Sequence, residues 1–447
     1  MSQSGKRGVD PDRGGVRKAV AASAMGNCIE WYDFGVFGFM PAVLGAVFFN
    51  AGTPIENVLG TFAVLAVAFI ARPFGGFVFG PLGDRIGRQK VLATTIILMS
   101  GSTFAIGLFP SYESVGIVAP ILVILARLVQ GFSAGGEYGG AATFIAEYAP
   151  DKRRGFLGSW LEFGTLTGFF LGAGVVTAST VALGDETMLA WGWRIPFLLA
   201  GPLGLVGLYL RLKLEDTPLF REVAANKEIE KSPLRTVVRT QWKAILHLMG
   251  YIVLLNIADY VMLTYMESYL TNTLRLTGNA PLFIIVGVIL GMMVIITPIG
   301  ALSDRIGRKP LLYTSCVRFI VLPIPAFQLM GTGDKVLLTL GLAIIGVLLT
   351  FLLATIPSVL PAMFPTEVRY GAFAIGYNLS TALFAGTAPF IVTKLVDSTG
   401  DQLIPAYYLM GAAIIAAVPI VLLPETAGRS LRDITSSTRK GSLLPAR

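Results

Sequence analysis

The chain has 447 residues, of which 54% are hydrophobic and only 14% charged, with a mean hydropathy of +0.70. So few polar residues cannot cover an exterior that faces water, which excludes a soluble domain and makes the chain a membrane protein. The net charge of +8, from 35 Lys and Arg against 27 Asp and Glu, is placed as basic loops against anionic lipid would require and does not imply nucleic acid.

Apolar stretches of about 20 residues, enough to cross a hydrocarbon core of roughly 30 Å, recur along the whole length. Twelve spans are predicted, near 20–49, 57–82, 91–110, 116–143, 156–181, 189–211, 243–270, 281–302, 311–331, 335–363, 370–395 and 403–424. The fold class is an all-α membrane protein of twelve transmembrane helices. Lys and Arg resist translocation and so set orientation. They crowd the N-terminus, the 83–90, 150–155, 211–243 and 303–310 loops and the C-terminal tail, with one more in the 364–371 loop, whereas the alternate loops hold only Arg194, Arg275 and Lys335. Both termini are therefore expected in the cytoplasm.

The first span opens with "VRKAVAASA", which resembles the start of a signal peptide. Its apolar run continues to Phe49 and reads as a retained helix. Within it, "NCIEWYDF" places Asn27, Glu30 and Asp33 among Trp31, Tyr32 and Phe34. A carboxylate at mid-helix in lipid costs on the order of 2.5–3.5 kcal/mol. At 100° per residue the three polar groups fall within about 120° of arc, so one helix face is polar and is expected to point into a water-filled cavity. The carboxyls then bind a proton or a cationic group; the alternative is structural hydrogen bonding between helices. The aromatic residues offer ring faces to a quaternary ammonium, or else pack.

After the second span, "GPLGDRIGRQK" carries Gly80, Asp84, Arg85, Gly87 and Arg88. The fourth span holds Arg127, Gln130 and Glu137, and the fifth holds Glu162. These two acids lie nearer the cytoplasmic ends and suit a proton path or gate, or helix bridging. Residues 211–243 form a densely charged cytoplasmic linker. The seventh span brings Asn256, Asp259, Tyr260 and, nearer its outer end, Glu267. His247, the only histidine, sits where that span begins, which leaves a histidine relay without support. Cys28 and Cys316 have no metal or redox spacing and read as packing residues.

"GALSDRIGRKP", with Asp304, Arg305, Gly307 and Arg308, repeats the earlier loop at an offset of 220 residues. "APDKRRG" has an echo in "FPTEVRYG", and "NCIEW" in "NIADY", each at the same rank within its half. The chain therefore divides into a tail (1–18), a six-helix bundle (19–210), the linker, a second six-helix bundle (244–424) and a tail (425–447) expected to be disordered. Duplicated halves around a central site are a common transporter plan. Glycines four apart, at Gly131, Gly135 and Gly139 and again at Gly164, Gly168 and Gly172, place small surfaces where helices approach closely.

The segments "GDRIGRQK", "RLVQGFSAGGEYGGAATFIAEYAPDKRRG", "WGWRIPF" and "LPAMFPTEVRYG" resemble those of the major facilitator superfamily, and within it the metabolite:proton symporter family, across all twelve spans. The resemblance implies proton-coupled uptake of a small zwitterion across the bacterial plasma membrane. In the RxxQG pattern, Arg127 would bind an anionic group or modulate a carboxyl. It also implies cytoplasmic gating by Asp84, Arg85 and Arg88 with Gly80 and Gly87, mirrored by Asp304, Arg305, Gly307 and Arg308. Asp259 and Glu267 depart from the family pattern, in which those places are uncharged, and leave the substrate open between zwitterions and small organic acids. No nucleophile elbow, metal-ligand cluster or phosphate-binding loop is visible, so neither an enzyme nor a cofactor is expected. The partners implied are protons, a small solute and membrane lipid.

Overall fold

The computed structural model describes residues 13–49, 53–86, 88–212, 234–364, 369–429 and 431, and these residues form helices with no strand among them. In chain order the long helices are α1 (Arg13–Gly38, bent by 70° into Pro41–Phe48), α2 (Pro54–Ile86), α3 (Arg88–Ile106), α4 (Val118–Tyr148), α5 (Asp151–Leu183) and α6 (Arg194–Leu212). The second half holds α7 (Leu234–Tyr260, continued by π-helical turns to Thr273), α8 (Ala280–Ile306), α9 (Arg308–Val321, bent by 54° into Pro323–Met330) and α10 (Lys335–Met363). It ends with α11 (Arg369–Ser380, a π-helical turn, then Ala388–Thr399) and α12 (Ile404–Leu422). Among the described residues, nine of these helices are individually long and apolar enough to cross a bilayer. The two bent pairs qualify when each is taken whole, and α3 contributes a shorter apolar segment. Both bends fall at a proline on the first turn of the following segment, where its missing N–H and fixed φ are tolerated.

Within the first half α1 lies along α5, α2 along α4 and α3 along α6. In the second, α7 packs on α11 and α12, and α8 on α10. The halves meet along α5 with α8 and along α2 with α11. The glycine spacing explains how two of these pairs come so close. A Cβ on Gly164, Gly168 or Gly172 of α5 would press on the α1 backbone at Ala24, Cys28 and Val36, and one on Gly131 or Gly135 of α4 would meet the carbonyls of Ala68 and Arg72 on α2.

The internal repeat is visible in hydrogen bonds. Asn27 donates from α1 to the Leu161 carbonyl (2.9 Å) and Thr165 hydroxyl (2.5 Å) of α5. Its counterpart Asn256 donates from α7 to Ser380 (3.1 Å) and accepts from Thr381 (3.2 Å) on α11. In each half the first helix is thus tied to the fifth by one amide. Cys28 and Cys316 are buried free thiols. Two boundaries differ from the sequence reading. Helix α7 starts at Leu234, inside the stretch assigned to the linker, because residues 234–243 continue the helical turn despite their charges; residues 213–233 lie outside the described residues. After α12, Glu425 and Thr426 bond to the start of α9 and Leu431 packs with Ala146 and Ala362.

Candidate functional site

The acids of α1 are fully buried, and each is met by a guanidinium. Glu30 pairs with Arg72 of α2. Asp33, one turn later, accepts from Arg127 (3.1 Å) and Gln130 (3.0 Å) of α4 and from the Thr103 hydroxyl (2.7 Å) of α3. The two carboxyls were expected on one face turned to open water. Instead, with the halves closed on one another, Glu30 turns toward α2 and Asp33 into the first bundle between α3 and α4. Arg72 was not singled out from the sequence, although a lone arginine in the middle of an apolar run was a signal of the same kind as Arg127.

The aromatic residues divide in the same way. Trp31 packs against Phe34, Phe169 and, across the seam, Tyr260, at centroid separations of 5.7, 5.4 and 6.0 Å. Phe69 meets Tyr260 edge-on at 5.0 Å. Tyr32 points away from the centre and donates to the Pro196 carbonyl on α6 at 2.6 Å, so it serves packing and not the site. The faces of Phe34 and Phe37 are covered by the protein's own guanidiniums, Arg72 at 5.5 Å from the first ring and Arg127 at 3.7 Å from the second. Of the rings noted from the sequence, Trp31 and Tyr260 are the two that meet across the seam.

From the second half comes Asp259, buried and in no ion pair among the described residues; its Oδ1, the Tyr260 hydroxyl and the Trp31 indole N–H have no hydrogen-bond partner there. The repeat explains the difference from Glu30. Arg72 stands eight residues before Gly80, and the residue eight before Gly300 is Met292, so the second half has the acid without its arginine. Spare donors also remain on Arg72 (Nε, Nη1) and Arg127 (Nε, Nη2), and Glu30 Oε2 is a spare acceptor. Buried polar atoms are nearly always satisfied, so these unpaired donors and acceptors set this layer apart from the packed helices around it.

Glu137 and Glu162 lie one layer toward the end that carries the basic loops. Glu137 pairs with Arg211 at 2.9 Å, at the break in α4 made by Gly135 and Gly136. Glu162 accepts from the Tyr138 hydroxyl (2.5 Å) and Thr165 hydroxyl (2.9 Å). Tyr138 stacks on Tyr377 of α11 at 4.3 Å, and Asn378 donates to the Gly135 carbonyl at 2.7 Å, both across the seam. Glu267 accepts from Thr271 at 3.2 Å near the opposite end. There a cavity of about 450 Å³ lies among the outer ends of α7 and α11, lined by Tyr265, Ser268, Asn272 and Thr393.

The basic end is tied shut. Asp304 accepts the backbone N–H groups of Gly155 and Phe156, both at 2.8 Å, and so places its charge at the N-terminus of α5 in the other half. Glu147 and Arg369 form a second bridge at 3.1 Å, and Arg154 donates to the Arg429 carbonyl at 3.2 Å. Glu147, Arg154 and Arg369 lay within the quoted motifs without being assigned a role, whereas Asp304 was expected to act in the gate. Arg308 is buried and donates to Thr426, Gly307 has the positive φ of 98° that suits glycine, and Arg305 is exposed. Gly80, Asp84 and Arg85 are on the last turns of α2 and Arg88 starts α3; Gly87 and the side chains of Asp84, Arg85 and Arg88 lie outside the described residues.

A chain of long apolar helices packed around buried ion pairs agrees with the similarity of this chain to known proteins. A family profile described as sugar (and other) transporter matches residues 18–236 and 221–437. The chain belongs to this transporter family. It is 46% identical over 433 residues to the glycine betaine/proline/ectoine/pipecolic acid transporter OusA of Dickeya dadantii, and 44% identical to the proline/betaine transporter of Escherichia coli K12; each alignment covers 95% of this chain and 86% of the relative. Its fold matches the proton:xylose symporter XylE bound to 6-bromo-6-deoxy-D-glucose with a TM-score of 0.76 at 17% identity, over 95% of this chain and 99% of that one. The protein is a multi-pass transporter of the bacterial plasma membrane and not an enzyme.

Proposed function

We propose that this major facilitator protein imports a small zwitterion of the proline or glycine betaine kind, driven by protons, by alternating access at the seam of its halves. The observation that carries the reading is the presence of both charge signs with unused valence in one buried layer. The substrate carboxylate meets the spare N–H groups of Arg72 and Arg127. Its cationic end meets Asp259, the one acid of the layer without an arginine, against the rings of Trp31 and Tyr260, where each cation–π contact contributes about 0.5–2 kcal/mol. Glu30, Asp33 and Gln130 hold the two arginines in place, and Asn27 and Asn256 hold the helices that carry the site. Asp304, Arg308 and the Glu147–Arg369 pair close the cytoplasmic side and release it when the site turns inward; Asp84, Arg85 and Arg88 are assigned the matching role in the first half. A small organic acid is the competing substrate class, and it would leave Asp259 without a partner.

The test is uptake into proteoliposomes under an imposed proton gradient, with radiolabelled glycine betaine and proline beside citrate, 2-oxoglutarate and shikimate. Accumulation of the zwitterions, reduced at least tenfold in correctly inserted Asp259→Asn and Arg127→Ala, is the expected result. Accumulation of the carboxylates alone would replace this substrate assignment with the competing one.

A further inference from the structure

Five acids are buried among the described residues: Glu30, Asp33, Glu137, Glu162 and Asp259. Three of them are held by arginines, which donate hydrogen bonds and cannot accept them: Glu30 by Arg72, Asp33 by Arg127 and Glu137 by Arg211. An arginine can only donate, so a proton on the oxygen it holds would break that bond, although Glu30 keeps a second oxygen, Oε2, without a partner. Asp33 also accepts from the Gln130 side-chain N–H and from the Thr103 hydroxyl. Asp259 lies beside the rings that receive the cationic end of the substrate.

Glu162 differs from all of these. Both of its oxygens are held by hydroxyls, Oε1 by Tyr138 at 2.5 Å and Oε2 by Thr165 at 2.9 Å. A hydroxyl donates to a carboxylate and, by rotating, accepts from a carboxylic acid at the same oxygen position. The group can therefore gain and lose a proton while keeping both neighbours. Isolated ionised carboxylates are costly in a low-dielectric interior, and no cation pairs with Glu162 among the described residues. The charged and titratable groups around it are Glu30 of α1, Tyr138 of α4, Asp259 of α7 and Tyr377 of α11. From α8, Asp304 bonds at the start of α5, far from this layer.

Resting on the functional reading above, we propose that Glu162 carries the coupling proton and that Tyr138 links its state to the closure of the seam. When the site faces the side of higher proton activity, a proton from water forms an O–H bond on the Glu162 carboxyl, and the hydroxyl at that oxygen turns from donor to acceptor. When the site faces inward, the same bond breaks, the proton leaves to water and the hydroxyl donates again. Tyr138 stands at the break in α4 and its ring lies flat on Tyr377 of the other half, 10° from parallel. A change at its hydroxyl therefore acts at a point where the halves close. Thr165 passes the same change to Asn27, whose amide donates to it at 2.5 Å.

The experiment uses the full chain in liposomes loaded with a pH-sensitive dye, with glycine betaine and proline as solutes. Wild type is expected to admit protons when solute is added. Glu162→Gln is expected to exchange labelled for unlabelled solute at close to the wild-type rate, but to lose uphill accumulation, proton entry and pH dependence. Tyr138→Phe keeps the stacked ring and is expected to displace the pH profile of uptake; a purely structural Tyr138 would change the rate and leave the profile in place. Proton entry and accumulation by Glu162→Gln at wild-type levels would overturn the proposal. Should Glu162→Gln not fold, an unmoved pH profile in Tyr138→Phe would overturn it as well. A wild type that moves neither solute would refute the substrate reading instead. The proton site is then judged by infrared difference spectra between acid and alkaline pH. A carboxylic-acid band present in wild type and absent from Glu162→Gln supports the proposal, and an identical pair of spectra refutes it.

Discussion

Replacing Arg72 with methionine, the residue that the second half carries at the equivalent place, gives a direct test of how the opening helix tolerates its acid. Arg72 and Glu30 are both fully buried and paired, and the Arg72 guanidinium also lies 5.5 and 5.2 Å from the Phe34 and Phe69 ring centroids. Removing one partner of a buried ion pair leaves an uncompensated charge at a cost of about 3–5 kcal/mol. The two ring contacts add about 0.5–1 kcal/mol each. In the double variant Glu30→Gln with Arg72→Met the stranded charge is gone and only the ring contacts and one hydrogen bond are lost, roughly 2 kcal/mol in all. The double variant should therefore be more stable than Arg72→Met alone by about 2–4 kcal/mol, at least roughly 30-fold in the folding equilibrium. Reversible unfolding in mixed micelles, followed by tryptophan fluorescence, measures both. A double variant as unstable as the single one would refute the idea that Glu30 depends on Arg72 for its neutralisation in the buried helix.

Other contacts make equally concrete claims. Gly168→Val puts branched carbons against the α1 backbone at Cys28 and Tyr32, and should cost about 1–3 kcal/mol, read as a lower melting temperature of the purified protein. Exchanging the charges of the basic-end bridge, Glu147→Arg with Arg369→Glu, should restore the closed state that either single change weakens. Accessibility of a cysteine introduced at Gly158, where an added Cβ would come 3.4 Å from Pro357 across the seam, would report it. Asn27→Ala and Asn256→Ala remove equivalent bridges in the two halves. Each should lower stability by about 1–3 kcal/mol, the first also disturbing transport through Thr165 and Glu162; equal effects on transport would contradict the role given to Glu162.

Much of the molecule was legible in the amino-acid sequence alone. Hydrophobic runs have no alternative to helix in a bilayer, because every backbone group must be satisfied within the segment, so the spans follow from composition. The 220-residue repeat disclosed the two halves, and the acids of α1 and Arg127 stood out because charge in an apolar run is costly. Spacing along one helix gives a face but not a partner. Glu30 and Asp33 share an arc on α1, yet one finds Arg72 and the other Arg127, and those arginines arrive from helices whose approach is set by glycines on α4 and α5. Likewise no linear pattern distinguishes Glu162, held by two hydroxyls, from Glu137, held by Arg211. Which buried acid is neutralised, and which is left able to change its charge, was decided only when helices far apart in the chain were packed side by side, because a carboxyl's behaviour depends on the donors within hydrogen-bond reach and not on its sequence neighbours.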